Sequence, residues 1–324
     1  MKDFELNEYD LAVAPLLDEV LPDRLFDAHM HLTLPGTQNG PPSFDAYLAD
    51  LAPLVGGRRL RSNGIMRPSA VMKDPALRSL AEENLLKELD RHPENVGEVL
   101  VLPQDDEAAI EARLLHPRIR GLKCYHVYAS RADTPYAAPG EYLPRAAWEV
   151  ADRHGLAITL HLVKDEALSH PDNLSYIKRM TAEYKNARLV LAHGARAFAP
   201  RTVYSALDEL CDRPNIYYDF SALCEPTAML YILKRVGVGR CMFGTDYPIA
   251  MLGGKAVSLG SSFAWLSYSD YERILGKDHR GLHVITEGLL AMRDLVILAG
   301  LTPLEREALF YGTAADLFCA EKAL

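Results

Sequence analysis

The stretch FDAHMHL, residues 26–32, places one carboxylate and two imidazoles at alternate positions inside an apolar run. Side chains of a β-strand point alternately to its two faces, so Asp27, His29 and His31 are expected to share one face. A strand face with three polar groups needs a reason, because polar groups buried without partners cost free energy. Two interpretations remain open from this stretch alone: a metal site, or histidines held by hydrogen bonds within the fold.

Seven further β-like runs follow the first one, and helix-like segments separate many of them. The eight runs begin at Arg24, Asn63, Val96, Arg118, Leu156, Ala187, Asn215 and Arg240. Polar residues near the ends of the runs recur about every 31 residues, which is the length of one βα unit. We therefore predict an α/β fold, a single (β/α)8 TIM barrel domain over residues 24–324. A doubly wound sheet is the alternative, but the first strand-to-helix turn lacks the GxGxxG pattern of a dinucleotide site.

Two segments lie outside this repeating pattern. Residues 1–23 contain AVAPLLDEVLP and are predicted to form a helical extension that covers the bottom of the barrel or contacts another subunit. Residues 250–280 are rich in glycine, serine and aromatic residues and follow the eighth run. An insertion at this point is expected to lie over the mouth of the barrel, either as a lid or as a packing or oligomer contact.

The bulk composition narrows the class of partner. The 324 residues carry a formal net charge of -9, with 49% hydrophobic and 24% charged residues. Without a basic stripe, this charge argues against a nucleic-acid or anionic-membrane surface and favours a small-molecule substrate. The acidic start lacks a secretory signal pattern, and the five cysteines, an odd number without a CxxC pair, suit a reducing compartment. We expect a cytoplasmic protein.

Several metal-competent residues lie near the ends of different predicted strands. In a (β/α)8 barrel these ends meet at one mouth, so residues far apart in sequence become neighbours. The residues are His29, His31, His161, His193 and Asp246. Imidazoles with a carboxylate suit a divalent ion such as Zn2+, with Mn2+, Fe2+ or Co2+ as alternatives. The pattern thus predicts one divalent metal ion with an open position for water or a substrate oxygen.

Four motifs resemble those of the amidohydrolase superfamily: DAHMH at 27–31, TLHL at 159–162, LAHG at 191–194 and FGTDYP at 243–248. More narrowly, they resemble the amidohydrolase-related branch of metal-dependent hydrolases and aminocarboxymuconate-semialdehyde-type decarboxylases. The resemblance runs from about Arg24 to Phe318. It implies a mononuclear metal centre and a homo-oligomer, most simply a dimer. The ligands that it implies are His29, His31, His161 and Asp246, with His193 orienting water or acting as acid and base.

Two residues keep alternative roles under this resemblance. Asp27 corresponds to a metal ligand in some relatives, but we favour a hydrogen bond from a ligating histidine. Lys123 lies in the fourth run, where binuclear members carry a carboxylated lysine that bridges two metals. We favour a charged substrate-binding or structural lysine at this position.

Further mouth residues are assigned to substrate binding together with Lys123, namely Arg67, Tyr125 and His126. Arg67 could hold a substrate carboxylate through two parallel hydrogen bonds, or form a salt bridge within the barrel. Around the seventh run, four polar residues either line the pocket or bond to one another: Tyr218, Asp219, Ser221 and Glu225.

The leading functional hypothesis is a metal-dependent hydrolase that cleaves an amide, a cyclic amide or a lactone. His193 and Asp246 are the predicted catalytic residues: His193 orients the attacking water, and Asp246 passes a proton to the leaving group. The alternative is a non-oxidative decarboxylase, in which the metal holds the substrate. A barrel that has lost catalysis is disfavoured, because all of the expected ligands are present.

Overall fold

Eight parallel strands form a sheet in which each strand pairs with its neighbours in chain order. The computed structural model describes residues 5–33, 43–67, 74–276 and 281–319. The strands are β1 (Arg24–Leu32), β2 (Arg59–Met66), β3 (Val96–Leu100), β4 (Ile119–Cys124), β5 (Ala157–Leu160), β6 (Arg188–Leu191), β7 (Ile216–Asp219) and β8 (Cys241–Met242). The predicted (β/α)8 barrel is confirmed.

Helices connect the strands on the outside of the barrel. They are α1 (Glu8–Asp18), α2 (Phe44–Val55), α3 (Pro75–Arg91), α4 (Glu107–Glu111), α5 (Arg145–His154), α6 (Pro171–Glu183), a short turn α7 (Ala192–Arg196), α8 (Arg201–Tyr204), α9 (Pro226–Val236), α10 (Tyr268–Leu275), α11 (Val284–Ala299), α12 (Pro303–Glu307) and α13 (Thr313–Cys319). Local sequence sets their ends. For example, Asp74 caps the start of α3 before Pro75, and α5 ends at Gly155 in the left-handed conformation.

The backbone that follows β8 closes the barrel against β1. Ala28 donates its amide hydrogen to the carbonyl oxygen of Phe243 at 2.9 Å, and His31 donates to Tyr247 at 2.6 Å. Between these two bonds, the Asp246 amide donates to the carbonyl oxygen of His29 at 2.7 Å. These backbone bonds therefore place Asp246 next to His29 and His31 of β1.

A bulge in β1 separates Asp27 from the two histidines. Between Asp27 and Met30, β1 advances three residues while β2 advances two. A bulge of this kind changes the face to which the following side chains point. Asp27 contacts the surrounding helix layer, where the hydroxyl of Tyr47 on α2 donates to it at 2.6 Å. The expectation that Asp27 shares a face with His29 and His31 is therefore wrong.

Asp27 instead accepts hydrogen bonds from three segments of the chain. Its carboxylate accepts hydrogen bonds from the hydroxyl of Tyr47, from the hydroxyl of Thr245 at 2.5 Å and from the Thr245 amide at 3.0 Å. It also accepts from the backbone amide of His29 at 2.9 Å, not from the imidazole. Burial raises the pKa of Asp27 despite these donors. The residue thus fixes the backbone of the site and does not join the group of metal-competent atoms.

The bottom of the barrel is closed by the C-terminal helix α13. The strand residues that face the lower interior pack with this helix in one apolar cluster of Phe26, Ala28, Val96, Ala157, Val190, Met242, Ala314, Leu317 and Phe318. The N-terminal helix α1 packs against α2 and α11 on the side of the barrel. There, Asp10 accepts from His283 at 2.6 Å. The prediction that the N-terminal extension covers the bottom is corrected, because α13 fills that position.

The insertion after β8 forms an antiparallel hairpin of β9 (Gly254–Leu259) and β10 (Ser262–Ser267), followed by α10. Residues 277–280 of the predicted insertion lie outside the described part. Within the described residues, no helix combines the length and apolarity that a membrane span requires.

Candidate metal centre and active site

Three metal-competent side chains converge at the mouth of the barrel. Nε2 of His31 lies 3.0 Å from Oδ1 of Asp246, and Nε2 of His29 lies 3.6 Å from the same oxygen. One atom of each residue lies within 4.8 Å of the others, and all three side chains are buried. Asp246 has a φ of 61°, a left-handed conformation that costs free energy for a residue other than glycine. The fold therefore holds this carboxylate in place at an energetic cost.

Asp219, the last residue of β7, orients the ring of His29. Its Oδ2 lies 3.1 Å from Nδ1 of His29. Burial by itself would raise the pKa of Asp219, but the neighbouring His29 lowers it well below the usual value. The ionised carboxylate can only accept, so Nδ1 of His29 donates and Nε2 keeps its lone pair for the side that faces Asp246.

A left-handed turn after β6 positions His193. Residues 193–196 have φ values of 54°, 58°, 67° and 61°. Three of them are not glycine, and each such residue costs about 1–2 kcal/mol, a strain that is typical of functional sites. Nδ1 of His193 lies 3.0 Å from the carbonyl oxygen of Ser221. A carbonyl cannot donate, so Nδ1 carries the hydrogen and Nε2 is left as an acceptor.

The donor set of His29, His31 and Asp246 fits a divalent metal ion. Burial lowers the pKa of His29 to about 4 and also lowers that of His31, so both imidazoles are neutral at neutral pH. Although burial opposes ionisation of Asp246, nearby histidines lower its pKa to about 2. Two neutral imidazoles and one carboxylate match the three protein ligands of many catalytic zinc sites.

A second metal-competent group consists of His29, His193 and Asp219. Its carboxylate is already engaged, because Oδ1 of Asp219 accepts from the amides of His193 at 3.2 Å and Ser221 at 3.1 Å. The Ser221 hydroxyl also donates to this oxygen. We therefore assign Asp219 to support of the site and Asp246 to its centre.

A cavity of about 310 Å³ opens beside His193 and Asp246. Its lining includes His161, His193, Arg196, Phe198, Asp246, Phe263 and Trp265. The ring of Phe198 lies 4.7 Å from that of Phe263 and 5.1 Å from that of Trp265, both on β10. The hairpin therefore lies over the mouth, as predicted for the insertion. A cavity of about 440 Å³ at the opposite end of the barrel contains none of these histidines.

With this geometry established, comparison with known proteins places the chain in a family. A model of the amidohydrolase family matches residues 26–319. The chain belongs to the amidohydrolase family. It is 25% identical to L-fucono-1,5-lactonase of Burkholderia ambifaria, over 78% of this chain and 90% of that protein. The family and the barrel together support an enzyme of the amidohydrolase superfamily.

Solved structures of other family members share the barrel. An amidohydrolase from Burkholderia multivorans, solved with bound zinc, aligns with a TM-score of 0.58 and 16% identity over 91% of this chain and 99% of that one. 2,6-Dihydroxybenzoate decarboxylase from Rhizobium aligns with a TM-score of 0.56 and 13% identity over 91% of this chain and 98% of that one. At these identities the similarity shows the fold alone. Because one fold can host more than one type of reaction, the similarity does not identify the reaction.

His161 and His126 lie at the edge of the centre in this amidohydrolase. His161 lines the cavity, and its ring lies 5.0 Å from that of His193. Within the described residues it is not part of either metal-competent group, so its role as a fourth ligand stays a prediction. His126 follows β4 in a short turn, and its ring lies 5.9 Å from that of His161.

Lys123 is buried in the barrel interior below the mouth. Its Nζ lies 3.5 Å from Nε2 of His29 and 4.9 Å from the centre of the Tyr125 ring. Burial lowers the pKa of Lys123. The amine thus faces the metal-competent group and not the described cavity. The assignment to substrate binding and the alternative of a carboxylated bridging lysine both stay predictions.

Tyr125 and Arg67 lie on the β2 side of the centre. The hydroxyl of Tyr125 donates to the carbonyl oxygen of Met66 at 3.3 Å and lies 3.4 Å from Nδ1 of His31. Arg67 is half-buried, and this burial lowers its pKa although the charge of Asp246 opposes the shift. Both residues contact or influence the centre, and neither belongs to the lining of the described cavity.

Three residues of the site were not assigned a role from the sequence. Asp219 and Ser221 were noted only as a polar cluster, although Asp219 occupies the same strand-end position as the other mouth residues. Arg196 was not singled out at all. Its position follows from the left-handed turn that begins at His193, which the sequence pattern does not reveal.

Glu98 on β3 is a buried carboxyl below Lys123 in the barrel interior. Its Oε1 accepts from Thr159 at 2.8 Å and from Asn63 at 3.0 Å, while Oε2 has no partner among the described residues. Burial raises the pKa of Glu98 to about 7, although the charge of Lys123 opposes this shift. The native state therefore keeps a proton that the unfolded chain releases at a lower pH.

We expect Glu98→Gln to change how stability depends on pH. The stabilisation from the bound proton is complete below the unfolded pKa and is lost as pH rises through about 7. Glutamine stays neutral at all of these pH values. The free energy of unfolding of the variant should therefore rise by about 2 kcal/mol relative to that of the wild type between about pH 5 and pH 8. Urea unfolding at fixed metal content would measure this change. If the free energy of unfolding varied with pH in the same way for both proteins, the prediction would be contradicted.

Proposed function

We propose that the protein is a metal-dependent hydrolase that cleaves a C–O or C–N bond of a small molecule, with lactones as the leading substrate class. The observation that carries this proposal is the convergence of Nε2 of His29 and Nε2 of His31 on Oδ1 of Asp246, with the ring of His193 5.1 Å from that of His29. The relative named L-fucono-1,5-lactonase supports a lactone over an amide.

The centre would hold one divalent ion, for which we propose Zn2+, through His29, His31 and Asp246, with His161 as the fourth ligand. Such an ion supplies Lewis acidity that polarises a carbonyl group and acidifies water. Asp219 keeps the Nε2 lone pair of His29 available for this role through its bond to Nδ1.

His193 has the geometry of a hydrogen-bond acceptor that orients water. Its Nδ1 hydrogen is held by the carbonyl oxygen of Ser221, so Nε2 accepts a hydrogen bond from water and orients it toward a bound carbonyl carbon. The ionised carboxylate of Asp246 accepts a proton from this water and passes it to the leaving oxygen or nitrogen. Phe263 and Trp265 of the hairpin line the cavity together with His193 and Asp246.

A substrate panel with two separate readouts tests the proposal. Protein loaded with Zn2+, Mn2+ or Co2+ is assayed on sugar lactones, simple five- and six-membered lactones, cyclic amides and aromatic carboxylates. Ring opening is followed by acid release, and decarboxylation by CO2 detection. We expect saturable lactone opening that a chelator abolishes and added metal restores. Release of CO2 without ring opening would overturn the proposal in favour of a decarboxylase.

A further inference from the structure

Arg196 places a cation in the wall of the cavity. The guanidinium uses Nη1 to donate to the carbonyl oxygen of Lys164 at 2.9 Å. Among the described residues no carboxylate lies within ion-pair distance of it, and Asp165 acts on it only from further away. A guanidinium has five donor hydrogens, so most of its hydrogen-bonding capacity is left for another partner.

The backbone fixes this cation relative to the catalytic centre. Arg196 ends the same left-handed turn that begins at His193, and its own φ is 61°. The guanidinium stacks over the ring of Phe263 on the hairpin, with its central carbon 5.0 Å from the ring centre. The turn and the hairpin therefore hold the half-buried Arg196 in the wall of a cavity that the buried His193 also lines.

The surroundings of Arg196 favour an anionic ligand. The guanidinium is half-buried against the ring of Phe263, where an unpaired charge is costly unless a counter-charge arrives. The planar guanidinium of Arg196 can donate two parallel hydrogen bonds, and this geometry matches a carboxylate.

The rest of the wall is suited to a ring. Phe198 packs against Phe263 and Trp265, and these three rings present flat apolar surfaces to the cavity. A volume of about 310 Å³ lies at the small end of the range for ligand pockets. A single small ring fits this space better than an extended chain or a polymer end.

We propose that Arg196 binds a carboxylate of the substrate, and that the substrate is a monocyclic lactone with a carboxylate on the side of the ring away from the bond that is cleaved. The lactone in this statement rests on the proposed function. The pairing of a carboxylate with Arg196 rests on the cavity alone, and its test requires no turnover.

The test compares two ring probes that differ in charge, benzoate and benzamide. Trp265 reports on the cavity by fluorescence, because it lines the cavity while Trp148, the other of the two tryptophans, is fully buried. Titrations use metal-free and zinc-loaded full-length protein. We expect benzoate to bind at least about 10-fold more tightly than benzamide in both forms. A Trp265→Phe variant should lose the signal.

Arg196→Met should reduce this preference to about 2-fold or less, because it removes the charge and the donors. Arg201→Met is the matched control, since it removes the same charge from an exposed position five residues later. It should keep the preference. Arg196→Lys keeps the charge without the fork and should give an intermediate preference, and it serves as the second variant if Arg196→Met does not fold.

Two results would overturn the inference. One is equal affinity of the wild type for the two probes, and the other is a preference for benzoate that persists in Arg196→Met, which would place the carboxylate on the metal ion or elsewhere. If the hydrolase assay fails while the probe preference depends on Arg196, the carboxylate site stands and the proposed reaction falls. If lactone opening is observed, Arg196→Met should raise KM for a lactone that carries a carboxylate by a larger factor than KM for a neutral lactone.

Discussion

Replacement of Asp246 by alanine is expected to remove the bound metal and to reduce kcat by roughly 10³-fold or more. The variant loses the carboxylate that lies between His29 and His31, and two imidazoles alone are a poor site for a divalent ion. Metal content after dialysis, measured by mass spectrometry, gives a readout that needs no substrate. Circular dichroism checks that the barrel is kept.

Asp208→Ala is the matched control for this variant, because Asp208 is exposed on the outside of the barrel and its carboxylate pairs with Arg235. It should retain one metal per chain. His161→Ala, measured beside it, separates a three-residue centre from a four-residue one, since loss of metal supports His161 as a ligand. Full metal content in both Asp246→Ala and His161→Ala would refute the ligand assignment.

Replacement of His193 by asparagine is expected to lower kcat by about 10²-fold to 10⁴-fold while the metal content stays unchanged. Asparagine tolerates the left-handed backbone better than most residues and can still donate to the carbonyl oxygen of Ser221. It lacks a basic nitrogen in place of Nε2. Activity should therefore fall without loss of the fold or of the centre.

The control for His193 is His154→Asn, which changes a histidine near the surface whose partner is Glu111. Its kcat and metal content should match those of the wild type. A His193 variant that loses metal as completely as Asp246→Ala would mean that the group of His29, His193 and Asp219 holds the ion. That outcome would exchange the roles assigned to Asp219 and Asp246.

Much of the fold follows from sequence periodicity. Each predicted run corresponds to a strand. The mouth residues were found because strand ends in a barrel meet at one face, whichever helices connect them. His29, His31 and Asp246 thus come together as expected, although the first and last of these are far apart in the chain.

The role of Asp27 shows where strand alternation fails. The rule assumes an unbroken strand, and the bulge after Asp27 moves that carboxylate to the helix layer, where Tyr47 binds it. Asp219 makes the bond to the imidazole of His29, while Asp27 accepts a hydrogen bond from the backbone amide of that histidine. A bulge depends on closure of β1 against the segment after β8, and no local pattern encodes this closure.

The sequence by itself determined the barrel and the set of chemical groups at its mouth, because hydrophobic periodicity fixes the strands and the strand ends fix the mouth. Only the tertiary structure decided which carboxylate lies between the two histidines and which supports them. It also brought Arg196 and the aromatic hairpin to one cavity. These details depend on left-handed turns and on packing between distant segments, and such contacts form only when the chain is folded.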